Sequence, residues 1–124
     1  MSENKHISLI RPGLYVGDIF AGGQSDILAE NKIRGVVSLK RWISPPESTY
    51  YRLGIIWKRF FSTDFEEFED KKALLVSDIF PWIKQMETES KAVLIHCEMG
   101  TSRSTACIIA YLVWGGMSFV DAFK

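Results

Sequence analysis

The sequence predicts an α/β domain with a mostly parallel central sheet flanked by helices on both faces, and three observations predict it. Short apolar runs rich in β-branched residues recur at Ile7 to Ile10, Leu14 to Gly17, Val36 to Leu39, Ile55 to Phe61 and Ala92 to Ile95. Helical periodicity falls between them, clearest where Leu75, Ile79, Ile83 and Met86 recur every three or four residues. Strands that alternate with helices pair in parallel and bury both faces under helical layers. At 124 residues, 47% hydrophobic and 24% charged, the chain has the size and balance of one soluble domain, residues 1–124.

Taken in order, residues 1–6 form a loose polar start. Pro12-Gly13 splits the first two strands with a turn. Ser25 or Asp26 can cap a short helix through Ile27, Leu28 and Asn31. Val36 to Leu39 reads as a buried strand, and Lys40 to Glu47 as a loop whose prolines exclude a central strand. Ile55 to Phe61 reads as a second buried strand leading into Ser62-Thr63-Asp64. The acidic stretch Glu66 to Asp70 suits a helix N-terminus, and that helix runs to about Thr88 with Pro81 kinking or splitting it. After the strand at Ala92, a tight loop leads into a helix with Ala106, Ile109, Ala110 and Val113 on its apolar face. Gly115-Gly116 ends that helix, and Ser118 caps another that has barely begun at Lys124.

Several classes are excluded on composition. Lys plus Arg and Asp plus Glu are 15 each, so no overall field favours nucleic acid or a membrane surface. No apolar run approaches the roughly 20 residues that span a bilayer. Cys97 and Cys107 make no disulfide framework, and no Cys or His cluster has zinc-ligand spacing. Met1 to His6 lacks the apolar core of a signal peptide, so an intracellular setting, cytoplasmic or nuclear, is expected.

Chemistry concentrates in His96-Cys97-Glu98-Met99-Gly100-Thr101-Ser102-Arg103-Ser104. A phosphate monoester needs donors for its non-bridging oxygens and a nucleophile in line with the leaving oxygen. Backbone amides of residues 98–103, turning at Gly100, can form an anion-binding nest, and the following helix adds its positive end. Arg103 can grip two oxygens with its planar fork. That positive surround favours the thiolate of Cys97, expected well below the free value of about 8.5, for attack on phosphorus. The leaving group needs an acid, and Asp64 is the first candidate because it leaves a strand into an exposed loop; Asp70 is second. Ser104 can donate to the departing sulfur or cap the helix, and His96 braces the loop rather than moving protons. Cys107, among apolar neighbours, is expected to be inert core.

The same nine residues resemble the signature loop of cysteine-dependent protein tyrosine phosphatases, specifically the small dual-specificity class. Leu14-Tyr15-Val16-Gly17-Asp18 with Ala21, the Ile33 to Leu39 strand and Asp64 resemble family landmarks in the same order, so the likeness covers about residues 7–124. It implies a protein tyrosine phosphatase-like fold with Cys97 as nucleophile, Arg103 as phosphate ligand, Asp64 as acid and Ser104 assisting breakdown of the intermediate. It implies no metal and no cofactor. The expected substrate is a phosphorylated protein carrying phosphotyrosine and phosphoserine or phosphothreonine. The alternatives are a non-protein substrate, an RNA 5′-phosphate or a phospholipid, or a non-catalytic phospho-binding scaffold. Glu98 and Met99 disfavour a highly anionic headgroup, and Arg41, Lys58 and Arg59 give only a modest basic surround. Family domains continue past this point with further helix. Phe119, Val120 and Phe123 are therefore expected to leave an apolar patch open to self-association through the C-terminal helix.

Overall fold

The computed structural model describes residues 6–18, 20–39, 47–60, 73–97, 102–118 and 121–122, leaving aside the side chains of residues 102–104. Five strands form one sheet: β1 (Ile7–Arg11), β2 (Leu14–Gly17), β3 (Ile33–Leu39), β4 (Ile56–Arg59) and β5 (Ala92–Cys97). Their order is β1-β2-β5-β3-β4, antiparallel between β1 and β2 and parallel elsewhere. Among the described residues the longer helices are α1 (Ser25–Glu30), α2 (Glu47–Leu53), α3 (Phe80–Thr88) and α4 (Ser102–Trp114). β5 enters last and takes the centre, between β2 and β3. Chain direction across the sheet reverses there, and in open α/β sheets ligands bind at such a switch point, outside the carboxyl ends of the strands.

Alternation along the strands divides the interior into two cores. Leu14, Val16, Val37, Val93, Ile95 and Cys97 face α3 and α4, through Ile83, Met86, Ile108 and Leu112. Ile33, Val36 and Leu94 face α1 and α2, through Ile27, Leu28 and Tyr50. The expected helices on both faces are therefore present. At Gly35 the sheet meets α3 so closely that a Cβ would stand 2.8 Å from the Trp82 ring and 2.9 Å from the Met86 methyl.

Pro81 is accommodated by a register change. A π-helical turn, Leu75–Ile79, precedes α3, and Phe80 N–H donates to the Leu75 carbonyl five residues back. Pro81 then falls in the first turn of α3, where its missing N–H costs nothing. Ser118 Oγ accepts Asp121 N–H at 3.2 Å, the capping bond expected of it.

Four expectations change. The N-cap of α1 is Gln24, with no side-chain capping bond; Ser25 is already helical. The strand read as Ile55 to Phe61 is β4, an edge strand with Ile56 half exposed, because it has a neighbour on one side only. α2 was not expected at all. Finally, α4 buries Cys107, Ile108, Tyr111 and Leu112, whereas Ala106, Ala110 and Val113 face outward. The helix is apolar nearly all round, and the ring of Tyr111 decides the face, packing edge-on against Phe80 with centroids 5.6 Å apart. Of the loop read as Lys40 to Glu47, Glu47 is already helical in α2, and residues 40–46, with Asp64, Asp70, the stretch Glu66 to Asp70, and Phe119, Val120 and Phe123, lie outside the described residues.

Candidate active site

A run of apolar residues, Val93-Leu94-Ile95, can sit between two parallel strands because both of its faces are covered. β5 is that strand, with Leu94 paired to Tyr15 on one side and to Val36 on the other. It ends at Cys97, aligned with Leu39 of β3 and buried on the α4 side of the sheet. The helix α4 begins at Ser102 and runs 13 residues. The structure therefore brings Cys97 to the carboxyl end of the central strand and the backbone of Arg103 and Ser104 into the first turn of the helix that follows. The positive end of a helix this long favours an anion there. Glu98, Met99, Gly100 and Thr101 lie outside the described residues, as does the acid candidate Asp64.

His96 points to the opposite face from Cys97 and is buried. Its Nε2 lies 2.5 Å from Ser38 Oγ, and Trp57 Nε1–H donates to the same oxygen at 2.9 Å. Ser38 pairs with His96 across β3 and β5 and is wholly buried. A second contact holds the ring from the α1 side: a Cβ on Gly22 would stand 2.4 to 2.7 Å from three imidazole atoms. Gly22 is fixed in turn by the Tyr50 hydroxyl, which donates to its carbonyl at 2.5 Å. Burial pushes the Tyr50 phenol up to about 12, so it remains a donor at ordinary pH. Ser38 and Gly22 thus border the His96 ring, with Trp57 and Tyr50 bonded behind them, and none of the four stands out in the sequence. Ser38 carried one available signal, a lone hydroxyl inside an apolar strand, which burial obliges to find a partner.

Neither cysteine is in a disulfide, and both are buried in the core that the α4 side of the sheet shares with that helix. Cys107 lies inside the packed face of α4, where burial pushes its pKa up to about 12, so it is chemically quiet as expected. Of the basic residues near the strand ends, Lys58 is engaged. It pairs with Asp78 at 3.1 Å and lies over the Trp82 ring, so it adds little field to the Cys97 end. Among the described residues no cluster of His, Cys, Asp and Glu could hold a metal, and no helix is long and apolar enough to cross a membrane.

The turn after β2 is built on Asp18, whose Oδ1 accepts the N–H groups of Phe20 and Ala21 at 3.0 and 3.2 Å. Its Oδ2 pairs with His6 Nδ1 at 2.7 Å. Burial pushes the Asp18 carboxyl up, but these hydrogen bonds outweigh it and the net shift is down. The turn brings Ala21 against Gly17, where a Cβ would stand only 2.7 Å from that of Ala21. The chain direction set there delivers Gly22 to His96.

Known proteins resemble this chain in sequence and in fold. The profile of the dual specificity phosphatase catalytic domain matches residues 14–123. The protein-tyrosine-phosphatase MKP1 of Arabidopsis thaliana is 30% identical over 122 residues, 98% of this chain and 15% of that protein. Dual specificity protein phosphatase 1B of the same plant is 28% identical over 125 residues, all of this chain and 71% of that protein. The crystal structure of human DUSP28 superposes with a TM-score of 0.80 at 25% identity, covering 98% of this chain and 78% of that one. On the profile match across most of its length and the shared protein tyrosine phosphatase-like fold, the chain belongs to the dual specificity phosphatase catalytic-domain family.

Proposed function

We propose that this domain hydrolyses phosphotyrosine and phosphoserine or phosphothreonine monoesters on proteins through a cysteinyl-phosphate intermediate on Cys97. The observation that carries the reading is the position of Cys97. It ends the central strand at the switch point of the sheet, five residues before a 13-residue helix begins. Membership of the family supports phosphoryl chemistry there, and the names of the Arabidopsis relatives favour a phosphorylated protein as substrate. The proposed setting is intracellular, where thiols stay reduced.

In the first step the Cys97 thiolate attacks phosphorus as the bond from phosphorus to the leaving oxygen breaks, and Asp64 gives that oxygen its proton. In the second step water attacks the phosphoenzyme. Asp64, now a carboxylate, takes a proton from the water, the sulfur–phosphorus bond breaks, and inorganic phosphate and the thiolate result. Arg103 holds the equatorial oxygens in both steps, with the amides of Glu98, Met99, Gly100, Thr101 and Ser102. Ser104 donates a hydrogen bond to the departing sulfur.

Turnover of p-nitrophenyl phosphate and of phosphotyrosine and phosphothreonine peptides tests the reading. Wild type is expected to hydrolyse all three and Cys97→Ser none. Asp64→Asn is expected to lose about 10²-fold or more on a substrate with a poor leaving group, and Asp70→Asn far less. Full activity in Cys97→Ser, or a wild type that binds phosphopeptides without turning them over, would contradict the proposal.

A further inference from the structure

Behind Cys97, on the other face of the sheet, three side chains from three strands form a chain of hydrogen bonds: Trp57 on β4, Ser38 on β3 and His96 on β5. The protons in that chain can be assigned. An indole nitrogen only donates, so Trp57 occupies one lone pair of Ser38 Oγ at 2.9 Å. Ser38 has one proton of its own and no exposure to solvent, so that proton needs an acceptor. Among the described residues the acceptor within reach is His96 Nε2, at 2.5 Å. Ser38 therefore donates to Nε2, and a neutral imidazole carries its proton on Nδ1, the ring nitrogen nearer the main chain. Nδ1 is buried too, so a proton there has a cost of its own, but an imidazolium or the other tautomer would aim a second N–H at Ser38 Oγ and strand the serine proton as well.

From this geometry we infer that Ser38 and Trp57 are positioning residues that hold His96 as its neutral Nδ1–H tautomer and so fix the chain entering Cys97. The inference deepens the proposed function and rests on it for the role of Cys97. Gly22 also borders the ring, where no Cβ fits, so the imidazole is held by close contact as well as by a directed hydrogen bond. The indole acts at a distance: by filling one lone pair it turns the serine hydroxyl toward the histidine. A group fixed in this way needs no rearrangement during the reaction, which is the usual benefit of a pre-set site.

The test is nitrogen-15 NMR of the imidazole together with steady-state kinetics on wild type, Ser38→Ala and Trp57→Phe. The chain has 2 histidines, so comparison with His6→Asn assigns the His96 signals. Wild type is expected to show a pyridine-like Nε2 and a pyrrole-like Nδ1 between about pH 6 and 8, the range in which an unrestrained imidazole titrates. Ser38→Ala is expected to mix the tautomers and to lower kcat roughly 10-fold with KM changed less than about 2-fold, on the scale of a small misplacement of a reacting group. Trp57→Phe keeps the aromatic packing, removes only the N–H, and is expected to shift both readouts in the same direction by less. A protonated His96 or a pyrrole-like Nε2 in wild type overturns the inference. So does Ser38→Ala with an unchanged nitrogen pattern, or Trp57→Phe with a lower melting temperature but unaltered kcat and tautomer. The NMR is also recorded on Cys97→Ser, so failure of the nucleophile assignment and failure of this positioning appear in different measurements.

Discussion

Gly22→Ala measures how firmly the support behind Cys97 is packed. The new methyl carbon would lie 2.4, 2.5 and 2.7 Å from His96 Cε1, Nε2 and Nδ1, where ordinary contact begins at 3.4 Å. Relief needs a retreat of about 1 Å by an imidazole that is buried and bonded to Ser38 at 2.5 Å. Overpacking of this kind costs about 1–3 kcal/mol, and weakening the serine bond adds to it. A loss near 2 kcal/mol corresponds to a melting temperature lower by roughly 6–12 °C for a domain of this length. Neighbouring Gly23 supplies the control. A Cβ there meets nothing within 4 Å, so Gly23→Ala is expected to stay within about 0.5 kcal/mol of wild type. Denaturant and thermal melts of both variants decide the matter, and kcat on p-nitrophenyl phosphate is expected to fall only for Gly22→Ala. Equal melts for the two alanine variants would refute the account of the packed imidazole.

Two further outcomes follow from other parts of the fold. Glu87 ties three elements together: Arg11 donates to both its oxygens at 2.9 and 2.7 Å, and the Tyr111 hydroxyl donates to it as well. Burial pushes the Glu87 carboxyl up, yet these hydrogen bonds outweigh it and hold it below the usual range. A carboxylate depressed in the folded state stabilises above its unfolded pKa of about 4.3 and loses that contribution as pH falls through the folded value. Glu87→Gln is therefore expected to cost about 1 kcal/mol at neutral pH, kept modest because Arg11 is 42% exposed, and the gap to wild type should close below about pH 4 in urea titrations. Ser90 follows α3 at φ +61°, a left-handed angle that favours glycine, and Ser90→Gly is expected to raise stability by roughly 0.5–1 kcal/mol in the same assay.

The elements that were plain in the sequence are those whose local pattern has one solution. β5 is a continuous apolar run ended by a polar turn, and only a strand buried on both faces suits it. Pro81 announced an interruption, although nothing local says that a π-helical turn rather than a kink resolves it. β4 was misread as buried because an apolar run does not reveal how many neighbours a strand has. Lys58 and Arg59 near its end were the available hint of an edge. α2 escaped because it is 7 residues long and buries one of them, Tyr50, leaving no periodicity to find. The face of α4 was misassigned because Ala106 through Val113 are apolar around most of the helix, and partners from α3 choose among the faces. The site divided along the same line. Cys97 and Arg103 stand in one local motif, so their candidacy is visible in the sequence alone. The support for His96 comes from Gly22, Ser38, Tyr50 and Trp57, distant in sequence and joined only by the order of the strands.

In the proposed reaction Cys97 carries the phosphoryl group between the two steps. Rapid acid quenching of the enzyme with a phosphorus-32-labelled phosphotyrosine peptide, followed by peptide mapping, tests it most directly. One labelled peptide is expected, containing Cys97, absent from Cys97→Ser and accumulating when Ser104→Ala slows breakdown of the intermediate. Label on any other residue, or full turnover with no trapped phosphoenzyme in either protein, would contradict it.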